Sequence, residues 1–148
     1  MNVYKGILPI TLSFVNCFKL KYIWEGNSMN IFETIVRNIG EDAEGFLEEN
    51  MLILFGEDAP PELSDFCYTI EIAPVQREIQ TGMVLSFNNT SYKITAVGQV
   101  AETNLINLGH ITIQFNGATT SEMPGTIYVE EKPVPTINVG DSIVISSN

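Results

Sequence analysis

Basic residues are scarce in this chain of 148 residues, which has seven lysines and arginines against eighteen aspartates and glutamates. Nucleic acids and anionic membrane surfaces are bound through a basic face, so the formal net charge of -11 predicts neither kind of partner. The charge is compatible with a basic protein partner, because opposite charges accelerate encounter. The imbalance is greatest from Met29 onward, where four basic residues face seventeen acidic ones.

Cysteine and histidine are also rare. Cys17, Cys67 and His110 are the only residues of these two types, which is too few for a four-ligand zinc site. We therefore predict no metal site, and the absence of a disulfide framework fits a reducing cytoplasm.

Motifs for membrane insertion and for nucleotide cofactors are missing as well. The apolar run at residues 6–18 is too short to span a bilayer, so we predict no direct membrane insertion. The chain has no glycine-rich phosphate loop and no nucleophile elbow. No cofactor is expected.

The apolar residues form short runs separated by turn residues, a pattern typical of all-β proteins. We predict a small closed or partly open β-barrel of about seven short strands with one or two short helices. One predicted strand, at residues 66–73, places Phe66, Tyr68, Ile70 and Ile72 on one apolar face. A predicted helix at residues 100–108 ends at a glycine and is followed by a strand at residues 110–115.

Residues 1–28 differ in composition from the rest of the chain, with three lysines and one glutamate. Trp24, Glu25 and Gly26 must be encoded by a purine-rich stretch that resembles a bacterial ribosome-binding site and lies shortly before Met29. We therefore interpret residues 1–28 as an extension with a mis-assigned start, Met29 as the natural start, and residues 29–148 as the domain.

His110 is the one side chain that could carry a phosphoryl group on an imidazole nitrogen. This chemistry needs a neutral imidazole whose second nitrogen is oriented by a hydrogen bond, and donors around the phosphoryl group. Thr112 and Gln114 share its predicted strand face and could supply donors. The alternative, which is the commoner state, is an ordinary surface or locally hydrogen-bonded histidine.

Cys67 is a second candidate nucleophile. Its pKa would have to be lowered by a neighbouring cation, and the nearest basic residue on the domain side of the sequence, Arg77, is ten positions away. A half-buried structural cysteine is the alternative.

One block of the sequence carries a family resemblance. Residues 95–115, TAVGQVAETNLINLGHITIQF, together with the Met-Pro-Gly-Thr step at residues 123–126, resemble the glucitol/sorbitol-specific IIA components of the bacterial sugar phosphotransferase system (PTS). The resemblance extends over residues 29–146 and leaves residues 1–28 without a counterpart. It implies a cytoplasmic phosphocarrier, which takes a phosphoryl group from HPr and passes it to the IIB component of a membrane transporter made of IIB and IIC components.

The resemblance also implies a position for the phosphoryl acceptor. In this family the acceptor histidine lies three residues after the cysteine that matches Cys67, and a second histidine often lies two residues further on. These positions hold Ile70 and Ile72, which cannot carry phosphate, so the phosphotransferase activity is left open.

Two hypotheses follow from this departure. In the first, His110, which matches the family's Leu-Gly-His histidine, is the acceptor. In the second, the protein is a non-phosphorylatable binding or regulatory module, and Tyr68, Ile70 and Ile72 form a docking patch or additional core.

Overall fold

Eight strands close into one barrel within residues 29–147, the part of the chain that the computed structural model describes. In chain order the strands are β1 (Asn30–Ile39), β2 (Met51–Gly56), β3 (Tyr68–Ile70), β4 (Val84–Phe87), β5 (Thr90–Val97), β6 (Ile111–Gln114), β7 (Thr126–Val129) and β8 (Ser142–Ser146). The predicted all-β barrel is confirmed, with one strand more than the expected number of about seven.

The order around the barrel is β1-β3-β2-β6-β7-β5-β4-β8, and β8 pairs with β1 to close it. Neighbouring strands are antiparallel except for the pairs β2–β3 and β6–β7, which are parallel. Closure leaves no exposed sheet edge among these strands. It also places β2 between β3 and β6, an arrangement that brings the two candidate acceptor regions of the sequence together.

In the part of the chain that the structure describes, three short helices accompany the barrel: a 3-10 helix (Ala43–Glu49), α1 (Pro61–Ser64) and α2 (Ala101–Leu108). The proline at the first position of α1 suits a helix start, where no backbone donor is needed. Helix α2 buries Ala101 and Leu105. It ends at Gly109, whose φ of 68° is the left-handed conformation that glycine adopts without strain. The predicted helix and its end are confirmed.

The barrel interior is filled by the apolar side chains that alternate along each strand. Phe115, just after β6, packs against Phe87 and Tyr92, with ring-centroid distances of 6.2 Å and 4.8 Å. The Tyr92 hydroxyl donates a hydrogen bond of 2.6 Å to the Pro133 carbonyl oxygen, so this buried phenol keeps a polar partner. The packing anchors β6, the strand that follows His110.

The strand predicted at residues 66–73 is wrong in its extent, because β3 contains only Tyr68–Ile70. Tyr68 and Ile70 are in the core, whereas Phe66 and Ile72 are 40% and 47% exposed. Between α1 and β3 the chain forms a turn. After β3 it runs towards Pro74, which has no N–H to extend a ladder. Of the three residues predicted to form a docking patch or additional core, Tyr68 and Ile70 are therefore in the core and Ile72 is on the surface.

None of the helices in the described part of the chain is long and apolar enough to cross a membrane. The hypothesis that Met29 is the natural start concerns residues 1–28, which lie outside the described residues.

Candidate functional site

His110 lies between the end of α2 and the start of β6. The antiparallel register pairs Leu54 of β2 with Ile111 of β6, so His110 falls opposite Phe55, the next residue along β2. The two rings stack with their centroids 4.4 Å apart and an interplanar angle of 23°. As predicted, Ile111, Ile113 and Phe115 point into the core, and His110 keeps part of its side chain accessible.

A hydrogen bond fixes the tautomer of the imidazole. The Nδ1 atom of His110 lies 3.1 Å from the Leu54 carbonyl oxygen. A carbonyl oxygen can only accept, so Nδ1 must carry the proton when the neutral ring makes this bond. The lone pair of the neutral ring is then on Nε2, which is the nitrogen left available as a nucleophile.

Two glycines hold the chain close together beside the histidine. A Cβ atom on Gly109 would lie 2.9 Å from the backbone nitrogen of Gly56, and one on Gly56 would lie 2.6 Å from the Leu108 carbonyl oxygen. Side chains do not fit at such distances, so the absence of Cβ atoms permits this approach. The Ile72 side chain covers the pair, since its Cγ1 atom is within 3.4 Å of both Cβ positions.

The predicted neighbours of His110 are engaged elsewhere or lie further along β6. The Gln114 side-chain amide donates hydrogen bonds of 3.0 Å and 3.2 Å to the carbonyl oxygens of Glu49 and Asn50, at the opposite end of β6. Thr112 lies mid-strand, paired with Ile53 of β2. Its backbone N–H donates to Gly125, and the structure shows no bond from Thr112 to the imidazole.

Cys67 is a buried structural residue. Its side chain is 2% exposed, and its thiol donates a hydrogen bond of 3.1 Å to the Leu63 carbonyl oxygen. Burial raises the pKa of the Cys67 thiol to about 11, because a thiolate is poorly solvated in an apolar environment. At neutral pH the thiol stays protonated, which makes it a weak nucleophile.

The two isoleucines at the positions for which the family resemblance implies histidines have opposite environments. Ile70 pairs with Val36 of β1 and Gly56 of β2, and its side chain has no exposed surface. Ile72 is 47% exposed and lies against the glycine pair next to His110. A side chain at position 70 is thus in the barrel wall facing the core, whereas one at position 72 is beside the only imidazole.

Sequence reasoning missed Leu54 and Phe55, which orient His110. They are 56 and 55 positions away in the chain, and only the pairing of β2 with β6 brings them to the histidine.

Within residues 29–147, no group of three or more histidine, cysteine, aspartate or glutamate side chains could hold a metal ion.

Comparisons with known proteins agree on one family. The family model described as PTS system glucitol/sorbitol-specific IIA component matches residues 31–144. The chain belongs to this family. The PTS system glucitol/sorbitol-specific EIIA component of Escherichia coli (strain K12) is 39% identical over 105 residues, which cover 71% of this chain and 85% of the relative. The corresponding protein of Shigella flexneri has the same identity and coverage.

A solved structure supports the fold of this glucitol/sorbitol-specific IIA family member. The present chain is similar to the crystal structure of the PTS system IIA component from Enterococcus faecalis V583, with a TM-score of 0.68 and 30% sequence identity. The similarity covers 76% of this chain and 97% of the solved one. The resemblance identified from the Leu-Gly-His block is confirmed at the level of the family.

Proposed function

We propose that this IIA family member is a cytoplasmic phosphocarrier that accepts a phosphoryl group from HPr on His110 and passes it to the IIB component of a glucitol/sorbitol-type transporter. The observation that carries the assignment of His110 is the hydrogen bond of 3.1 Å between its Nδ1 atom and the Leu54 carbonyl oxygen. In the neutral ring this bond leaves the lone pair on Nε2, and it holds the ring in one orientation.

Transfer to His110 balances without a proton leaving the site. The Nε2 lone pair of neutral His110 attacks phosphorus, a new N–P bond forms, and the N–P bond to the donor's imidazole breaks. The donor's imidazole, which carries a positive charge while phosphorylated, leaves as a neutral ring, and His110 takes up that charge. Its Nδ1 proton remains hydrogen-bonded to the Leu54 carbonyl, whose dipole stabilises the new positive charge. In delivery, a nucleophile of the next carrier attacks phosphorus, the N–P bond to Nε2 breaks, and His110 leaves as a neutral ring with the lone pair back on Nε2.

The site has to be completed by a partner. Phosphoryl transfer needs cations or donors around the equatorial oxygens of the transferred group. The contacts described for His110 are the Phe55 ring, the Leu54 carbonyl and the Asn104 carbonyl, and none of them is a cation. A basic side chain of the donor protein would supply the missing charge.

The proposal predicts that the full chain is labelled from labelled phosphoenolpyruvate in the presence of enzyme I and HPr. The label is expected to be labile in acid and stable in alkali, as a phosphoramidate is. His110→Gln, which retains a polar side chain of similar length, is expected to lose all of the label. Cys67→Ala is the matched control, since its protonated thiol has no role in transfer, and should be labelled as the unsubstituted protein is.

A second candidate function rests on Ile70 and Ile72. Both family histidine positions are apolar, and Ile70 has no exposed surface, which favours a non-phosphorylatable binding or regulatory module on the same fold. The labelling experiment separates the two functions. Complete absence of label at saturating phosphorylated HPr would contradict the phosphocarrier proposal and favour the module. Label that persists in His110→Gln would place the acceptor elsewhere.

A further inference from the structure

An exposed apolar patch borders His110. Ile72 and Leu108 are 47% and 46% exposed, and both lie against Gly56: Ile72 through its side chain and Leu108 through its carbonyl oxygen. Leu108 precedes His110 by two residues, and Ile72 also covers Gly109. We call Ile72 and Leu108 the Ile72–Leu108 patch.

We propose that the Ile72–Leu108 patch is the apolar centre of the surface on which the phosphoryl-donor protein, HPr, docks. This inference rests on the proposed function, since it takes His110 as the phosphoryl acceptor that the donor must reach. It goes further by naming the contact residues and the chemistry of the partner's surface.

The geometry places the patch inside any productive interface. A specific protein interface covers about 800 Å² on each partner, a region that extends well beyond a single side chain. A donor whose phosphoryl group reaches His110 Nε2 therefore also covers Leu108, two residues away, and Ile72, which touches the intervening glycine. Apolar side chains at the centre of an interface contribute much of its binding energy when they lose contact with water.

The charge around the patch selects a basic partner. Glu57 and Asp58 are exposed in the turn that follows Gly56, which the hydrogen bond from the Ala59 N–H to the Gly56 carbonyl closes. The ion pairs described in residues 29–147 join Arg37 to Glu71 and Lys132 to Glu130, so neither of these two acids is neutralised by one.

The segment that contains Glu57, Asp58 and Ile72 offers no basic residue, since none occurs between Arg37 and Arg77. A partner with an apolar contact ringed by lysine or arginine is complementary to this surface. It would also bring the cation that His110 lacks among its described contacts. The isoleucine at position 72 thus has a function of its own, as an apolar contact in place of the family's second histidine.

The test measures the affinity of the full-length protein for its cognate HPr by calorimetry, with both proteins unphosphorylated. We expect Ile72→Asp and Leu108→Asp each to weaken binding about tenfold or more. Leu63→Asp is the matched control, because Leu63 is also 47% exposed and the substitution adds the same charge. It lies on α1, which precedes β3, whereas Ile72 follows β3, and it should bind as the unsubstituted protein does.

Three further variants separate the loss of apolar contact from the effect of charge. Ile72→Ala and Leu108→Ala remove apolar contact without adding charge and should weaken binding in the same direction. Glu57→Gln combined with Asp58→Asn should slow association and reduce its salt dependence. Thermal unfolding of each variant checks that the barrel is intact.

Unchanged affinity in the folded Ile72 and Leu108 variants, equal weakening by Leu63→Asp, or no detectable binding of HPr to the unsubstituted protein would each overturn the docking proposal. Patch-dependent binding supports it even if the protein takes up no phosphoryl label, an outcome that would contradict only the carrier role. Labelling of His110 together with a dispensable patch would contradict only the docking surface.

Discussion

Ile70→His is expected to destabilise the barrel by about 3–5 kcal/mol, although it restores the residue that the family resemblance implies for this position. Ile70 has no exposed surface and packs within the core cluster. The substitution removes buried apolar contacts and introduces an imidazole with two polar nitrogens among apolar side chains. The free energy of unfolding in urea measures the loss.

The loss in the free energy of unfolding caused by Ile70→His should also depend on pH. A histidine buried among apolar groups has a lowered pKa, because burial disfavours the charged form. Below about pH 6.5 the unfolded chain binds a proton that the folded chain does not. Stability relative to the unsubstituted protein should therefore fall further as the pH falls through this range.

Ile72→His is the matched control, with the same change of side chain two positions away. Ile72 is 47% exposed, so an imidazole there can keep its nitrogens in water. We expect a loss within about 1 kcal/mol. Equal losses at the two positions, or an Ile70→His variant as stable as the unsubstituted protein, would contradict the placement of Ile70 in the core.

Gly56→Ala is the second change with a large expected effect. The new Cβ would lie 2.6 Å from the Leu108 carbonyl oxygen and 2.9 Å from Ile72 Cγ1. Ile72 can move, but the carbonyl belongs to the backbone that ends α2 and leads to His110. We expect a loss of about 1–3 kcal/mol in the free energy of unfolding, together with a weakened bond between His110 Nδ1 and Leu54.

Chemical denaturation and the imidazole ¹⁵N resonances measure these two effects of Gly56→Ala. Gly45→Ala is the control, because nothing lies within 4 Å of the Cβ position of Gly45 and its φ is not positive. It should be neutral or slightly stabilising. A Gly56→Ala variant that matches Gly45→Ala in stability and in its histidine resonances would contradict the close approach of β2 and α2.

The local elements were predictable because each has a signal within a few residues. The alternation of Ile111, Ile113 and Phe115 indicated the inward face of β6, and Gly109 marked the end of α2. The family followed from a block of 21 residues that includes both features. Such signals depend on the periodicity of strands and helices and on the backbone freedom of glycine.

The partners of His110 were not predictable, because they depend on which strands are neighbours. Nothing in the local sequence indicates that Leu54 and Phe55 lie beside residue 110; the barrel order sets this. The predicted face of residues 66–73 failed for a related reason. Its period of two was correct for Tyr68 and Ile70, but the chain leaves the sheet on both sides of them, so Phe66 and Ile72 are exposed.

The position of the phosphoryl group on His110 can be measured directly by NMR in protein labelled with [¹⁵N]histidine. His110 is the single histidine of the chain, so all histidine side-chain signals arise from it. Before phosphorylation we expect the Nδ1–H tautomer, and after transfer from HPr we expect ¹⁵N–³¹P coupling at Nε2. Coupling at Nδ1, or phosphorylated protein whose histidine signals are unchanged, would contradict this expectation.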